Sequence, residues 1–481
     1  MQVSGRRTTF HTVGLLLVLA AIFLTAPLPR VASAQDIPKP RMEIVYNFLG
    51  GLDGARSFGS LVWYNKKLEG ITSYGGTGCP ASGCGVATEL TPPALNGGAW
   101  KQTTLHLFNP NLGFDPPIGL DGAHPYSGLT VGSGGGALFG TTLNGGGGCP
   151  NVGCGSVYQL RPPLPHQAAW REAVIHTFAN NNDGVFPAAG VIQAPGGSLY
   201  GATTRGGNSD CDNQGCGVIY RLAPPPTGEN RWVETVLYRF TGGTDGYYPF
   251  GGLIFDGNGG LYGTTFWGGA GCAGFGCGTV FHLTPKVGQS EWTHEVIHEF
   301  SGPADGSGPS GTLSIDGKGH LFGTTTGGGG KGCPENSGCG TVFELVPPTT
   351  TNPKWGLISI HRFQGGTDGA APYSGLTFTS SGLAIYGTTV AGGITNPAGD
   401  TCEPFDGCGT IYRLHHSASQ GWQEDVLYRF QASGIGASPY AGVILDSTER
   451  TLYGVTGRLG YRGSDPCQGN GCGKAYALRL N

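Results

Sequence analysis

The sequence predicts an all-β protein, a seven-bladed β-propeller built from four-stranded antiparallel blades. Three observations predict it. All 14 cysteines fall into seven pairs, each followed directly by glycine, and the pairs recur about every 61 to 70 residues, the pattern left when one supersecondary unit is copied with its own staple. Every copy holds four short β-forming segments separated by glycine-rich turns, with no helical period. The chain begins on an orphan outer strand and ends after a third strand, so its two ends can share one blade.

Residues 1–34 read as a secretory signal peptide. Arg6 and Arg7 precede an apolar run from Val13 to Ala26, and Ala32-Ser33-Ala34 is the small-residue cleavage site before Gln35. The run is about 14 residues, shorter than the roughly 20 that cross a bilayer, and no later segment is long and apolar enough to span one. No cysteine lies near the cleavage site to carry a lipid, and no hydrophobic tail follows Leu480. The expectation is a soluble protein with no membrane span, secreted to the extracellular space or periplasm. Residues 35–41 form a short tail and residues 42–481 the propeller.

Losing the signal removes three arginines and no acids, taking the formal net charge from −4 to about −7, a poor match for nucleic acid or an anionic membrane. Gly at 92 of 481 with 12% charged residues would fit low complexity, but these glycines sit at fixed places in the repeat.

Phe48, Phe108, Phe178, Phe240, Phe300, Phe363 and Phe430 each end a short apolar strand. Trp100, Trp170, Trp232, Trp292, Trp355 and Trp422 each stand eight residues earlier, with Pro40 there in the first copy, which makes core packing their job. An Asp-Gly turn follows, then a short Gly-Leu strand, as in Gly242 to Leu253. A second turn, Asp256 to Gly260, leads into Leu261-Tyr-Gly-Thr-Thr265 and reads as a hairpin. Glycine weakens a strand interior, so its return in all seven copies implies close backbone approach from a neighbouring sheet. The cysteine loop and a final strand such as Gly278 to Pro285 complete the unit.

The order of these elements resembles NHL-type propeller repeats. Leu-Tyr-Gly-Thr-Thr, the Gly-Gly loop, Gly-Thr-Val-Phe and Leu-Thr-Pro-Pro together look still more like the GloVer tandem repeat of exported bacterial proteins, over essentially residues 42 to 481. That resemblance implies export and a tandem architecture, and no defined reaction. The NHL-like register would put the Gly-Leu strand innermost, Leu-Tyr-Gly-Thr-Thr second, the Val-Phe strand third and the Trp-to-Phe strand outermost. Residues 42–48 are then expected to complete the last blade and close the ring, removing the two frayed ends of an open array.

An even cysteine count in an oxidising compartment predicts disulfides Cys79–Cys84, Cys149–Cys154, Cys211–Cys216, Cys272–Cys277, Cys333–Cys339, Cys402–Cys408 and Cys467–Cys472. Zinc is the competing reading, but no second pair or histidine lies nearby within a unit, so no metal is assigned. His106, His176, His298 and His361 share a position with Tyr46, Tyr238 and Tyr428, which marks a packing site with a polar tip.

Asp53, Asp121, Asp183, Asp245, Asp305 and Asp368 occupy the Asp-Gly turn, while the seventh copy has Ile435-Gly436. Turn formation accounts for them. A carboxylate ring binding calcium or sugar hydroxyls is the alternative, weakened by too few ligands per turn. Phe58, Tyr126, Phe250, Tyr373 and Tyr440 align beside the innermost strand, with Ala188 and Ser310 in the other copies. Ordinary packing is the first reading of these aromatics; the alternative is that together with Asp121, Asp183, Asp245, Asp305 and Asp368 they form a candidate ligand face, since aromatic platforms with polar neighbours suit glycan stacking or peptide capture.

No nucleophile elbow, zinc-protease helix, phosphate loop or dinucleotide fingerprint occurs, and no catalytic residue or cofactor is assigned. Three functions remain open: a monomeric binding or scaffold module for an extracellular glycan, peptide or protein; a propeller-type hydrolase or lyase acting on an extracellular polymer; and a structural envelope component.

Overall fold

The computed structural model describes residues 39–480 apart from short loop stretches, the longest being 110–120, 394–401 and 459–466. The expected signal peptide, most of the tail and Ile435 lie outside the described residues. Pro40–Leu480 fold as one unit of seven sheets, each following the strand order expected from the sequence. One blade runs outward from the axis as Ile254–Phe255, Leu261–Thr265, Thr279–Pro285 and Trp292–Glu299, all antiparallel. In two blades the segment after the Asp-Gly turn, Gly122–Pro125 or Ser307–Pro309, adds a short further pairing to the second strand.

Crowding at the axis explains why most innermost strands are two residues long. A Cβ on Gly59 would lie 2.5 Å from the backbone of Gly128 in the next blade, and one on Gly311 would lie 2.4 Å from the Ser374 carbonyl oxygen. Only glycine lets these backbones approach so closely.

Leu261–Thr265 is buried along its whole length. Its glycine corrects the sequence expectation, because what occupies the missing side chain's space is an aromatic ring on the third strand of the same blade. A Cβ on Gly140 would meet Tyr158 Oη at 2.3 Å, and one on Gly263 would meet Phe281 Cζ at 2.4 Å, each glycine pairing with that aromatic in the ladder. The close approach is real. Its source is a cross-strand neighbour.

The strand's last threonine hydroxyl is satisfied internally. Thr265 Oγ1 donates to the Trp267 carbonyl at 2.9 Å, accepts from the Thr279 N–H and lies 2.8 Å from Thr279 Oγ1. Burying a hydroxyl without such partners costs on the order of 1–3 kcal/mol.

Outer strands all carry the same β-bulge. The register skips Val45, Leu105, Ile175, Leu237, Ile297, Ile360 and Leu427, each three residues before its repeat phenylalanine. Strict alternation would send residues three apart to opposite faces, and the inserted residue lets both turn inward: Leu105 and Phe108 are both buried. The repeat tryptophans pack between blades, Trp232 against Phe139 and Trp355 against Tyr262 of the preceding sheet.

Strand Arg41–Asn47 pairs antiparallel with Lys474–Arg479, completing the last blade from the other end of the chain. Across the seam to the first blade, Trp63 Nε1 donates to the Leu445 carbonyl at 3.0 Å. The ring is closed, as the orphan strands predict.

Candidate functional site

All seven cysteine pairs are bonded within their own loops, with Cα–Cα separations of 5.0–5.4 Å. Those loops and the Asp-Gly turns occupy one end of the strands, the upper face. The carbonyl of each second cysteine accepts a backbone N–H from the next blade, at 2.7–3.0 Å in all seven junctions. The donors are Arg56, His124, Phe186, Tyr248, Gly308, Ala371 and Ser438, each at φ between +54° and +64°. For a side-chain-bearing residue that conformation costs roughly 1–2 kcal/mol. It persists because both sides of the peptide are fixed: the Tyr248 carbonyl, for example, accepts from Phe266 N–H at 3.0 Å.

The glycine after each second cysteine has its own reason. A Cβ on Gly155 or Gly278 would lie 2.5 Å from Cδ of Pro187 or Pro309 in the adjoining blade. Cys-Gly in one unit and Pro in the next therefore form a single inter-blade joint.

Among the sequence-predicted residues, the aromatics converge on the axis. Phe58 stacks on Tyr126 at 5.0 Å, Tyr126 meets Phe250 at 5.9 Å, Phe250 meets Tyr373 at 5.9 Å, Tyr373 meets Tyr440 at 5.6 Å, and Tyr440 returns to Phe58 at 5.2 Å. Five rings form a closed circuit, spanning the blades that carry Ala188 and Ser310. Burial, reinforced by the neighbouring tyrosines, pushes the Tyr373 hydroxyl up to about 12, and burial raises Tyr126 and Tyr440 as well. These phenols stay neutral. Beside them lies an axial cavity of about 130 Å³ lined largely by the glycines, serines and alanines of the inner strands.

The aspartates are drawn into their own turns. Asp121 accepts from the Asn109 N–H, Asp183 from Ala179, Asp245 from Thr241, Asp305 from Ser301 and Asp368 from Gln364, at 2.7–3.0 Å. In most turns the shared His/Tyr position supplies a second partner, His106 to Asp121 at 3.2 Å, His298 to Asp305 at 3.1 Å and Tyr238 Oη to Asp245 at 2.9 Å, whereas His176 Nε2 stands 4.0 Å from Asp183. Burial works against the Asp305 carboxylate, but the bonds from His298 and Ser301 hold it below the usual range.

Ligand-type atoms of His106, Asp121 and Glu172, and of His361, Asp368 and Glu424, gather within 4.8 Å of one another. These two groups are the described places where a cation would find three donors. Tyr46 and Tyr238 fill the histidine role elsewhere, so the clamp works without a metal ligand.

Two features escape a reading that looks only for repetition. The first is Glu69, fully buried and paired in the ladder with Glu89, whose Oε1 is 2.7 Å from Lys67 Nζ. Burial, then the Glu89 charge, pushes the Glu69 carboxyl up to about 9. Its signal was present, since Glu69 stands where other copies have Tyr or Phe. The second is a cleft of about 740 Å³ between two blades, containing Arg205, Tyr248, Phe266, Trp267 and Phe275. Trp267 is one of only two tryptophans outside the repeat position, a deviation visible in the sequence.

Aromatic contact in this cleft is continuous. The Arg205 guanidinium lies 5.9 Å from the Tyr248 ring centre, Tyr248 is 6.4 Å from Phe266, Phe266 is 4.7 Å from Trp267, and Trp267 is 5.9 Å from Phe275. Tyr248 also stacks on Phe250 at 6.0 Å, so the path runs from the axial circuit to the exposed rim.

Solved structures similar in outline include a protein of unknown function from Dyadobacter fermentans (10% identity, 92% of this chain and 100% of that chain, TM-score 0.43). A PL25 ulvan lyase (10% identity, 91% and 96%, TM-score 0.49) and the Pseudomonas aeruginosa periplasmic gluconolactonase PpgL (14% identity, 81% and 96%, TM-score 0.41) are also similar. No curated protein sequence matches. The family model described as the Gloeobacter/Verrucomicrobia repeat matches residues 148–402, more than half of a chain whose other blades repeat the same unit, and the protein belongs to that family.

Proposed function

We propose that this protein is an exported binding module that presents its upper face to an extracellular glycan, peptide or protein. One observation carries the reading. The backbone of that face repeats seven times with φ within ten degrees and hydrogen-bond lengths within 0.3 Å, yet its residues do not repeat: Arg56, His124, Phe186, Tyr248 and Ala371 are partly exposed there, while Gly308 and Ser438 are buried. Rigid positions with divergent side chains suit recognition, because little ordering entropy is lost on binding. Seven disulfides fit an oxidising compartment, in line with the signal sequence read at residues 1–34.

The Glu69/Glu89 carboxylate pair is closed to a hydrolase's substrate by burial. Glu69 has no solvent exposure and Glu89 only 7%, so no substrate reaches them without opening the blade junction. The test is a binding screen of the secreted protein against glycan and peptide arrays, repeated with Trp267→Ala. A bound ligand lost on that substitution supports the module. Absence of any ligand, with high thermal stability, would support a structural envelope component instead.

A further inference from the structure

We propose that the cleft running from Arg205 to Phe275 binds an acidic polysaccharide, its sugar rings lying along Tyr248, Phe266, Trp267 and Phe275 and a uronate carboxylate held by Arg205. The inference rests on the binding-module reading and names the ligand of that face.

Shape and chemistry of the cleft point to sugar. A connected row of rings with centres 4.7–6.4 Å apart, set edge-to-face or tilted to one another, walls the cleft with apolar faces and edges against which the C–H faces of pyranoses can pack. Glycines make up much of the remaining wall, among them Gly242, Gly243, Gly268 and Gly274, so few side chains intrude and backbone polar groups border the rings. A Cβ on Gly243 or Gly274 would meet nothing within 4 Å, which shows how open that wall is. Phe275 is 62% exposed beside Trp267, and a ligand covering it would bury that apolar surface.

Charge narrows the class. Among the described residues Arg205 is the only charged side chain lining the cleft, and no carboxylate among them pairs with it. Its guanidinium rests near the Tyr248 ring, which orients the planar fork and leaves its N–H groups for an oxygen anion. The net negative charge of the chain opposes a polyanion, so attraction for a carboxylate is local and comes from the Arg205 guanidinium. A peptide would be expected to use an open strand edge or a deep anchor pocket, whereas this cleft offers a shallow path of rings.

The test is titration of the intact secreted protein with an oligogalacturonate, a neutral galactose oligomer of equal length and a peptide library. Trp267 fluorescence reports occupancy. The expected result is binding of the oligogalacturonate, weakened at least ~10-fold by Arg205→Gln because a charge-assisted bidentate contact is lost. Phe275→Ala, at an exposed position that folding does not need, should weaken it as well. Equal affinity for the neutral oligomer, or an unchanged affinity in Arg205→Gln, overturns the acidic assignment. Capture of a peptide or neutral glycan in a Trp267-dependent manner likewise overturns it, and leaves the binding module standing. No binding of any probe removes both.

Discussion

The backbone N–H of Arg56 donates to the Cys472 carbonyl at 2.7 Å, joining the first blade to the last across 416 residues of chain. The same backbone bond links every other pair of neighbours, although the seam has Ser57 where the six internal junctions place a proline against the Cys-Gly glycine. Connectivity differs too: the last blade owes its outer strand to Arg41–Asn47.

Deleting residues 41–48 should therefore cost upward of ~5 kcal/mol, counting two buried apolar side chains and a strand ladder. Scanning calorimetry and limited proteolysis read it. Val45 is buried at the bulge and Ile44 beside it is 46% exposed, so Val45→Asp should destabilise by about 3 kcal/mol while Ile44→Lys changes little. Equal effects would mean the strand is not held in this register.

Thiol titration of unreduced protein should find close to none of the 14 cysteines free, and all 14 after reduction in denaturant. Replacing one pair, Cys272 and Cys277, by serine should cost roughly 2 kcal/mol through the short loop. Because the Cys277 carbonyl accepts from Gly308, the first new protease cuts should fall at that joint, in both blades it connects.

Stability should fall as pH rises from 7 to 9. Glu69 holds a proton up to about 9 in the folded protein, against the ordinary 4.5 when unfolded, so the folded state binds one more proton throughout that window. Two pH units bound the effect at about 2.7 kcal/mol. Glu69→Gln should flatten the melting profile between pH 7 and 9 and leave it nearly unchanged near pH 4. Glu172, Glu234 and Glu424, pushed up to about 7 chiefly by burial, add the same slope below neutrality. Burial of His294 lowers it to about 4, which acts in the opposite direction between pH 4 and 6.5. A midpoint that climbs from pH 7 to 9 in the wild type would rule out the buried proton.

Gly140→Ala should destabilise by about 1–3 kcal/mol, since its Cβ would overlap the Tyr158 ring. Gly136→Ala, with nothing within 4 Å, should be neutral or slightly stabilising. Urea denaturation of the two variants makes the comparison. A neutral Gly140→Ala would show that Tyr158 has room to move aside.

By itself the sequence determined the repeat count, the strand order and the closing strand. Periodicity of Phe, Trp, Cys-Gly and Asp-Gly is local information, and each unit makes the same local contacts wherever it stands. It also aligned Phe58, Tyr126, Phe250, Tyr373 and Tyr440, but alignment does not say that they meet. Their closed circuit follows from radial placement around one axis. The bulge at Val45 and its six counterparts was equally out of reach, because Leu105 and Phe108 face the same side only once the ladder skips a residue. The ring beside Gly140 belonged to its own blade because the register set Tyr158 opposite it. Arg205 and Trp267 are 62 residues apart in sequence, one repeat, and tertiary packing makes them two parts of one wall by setting adjacent blades edge to edge.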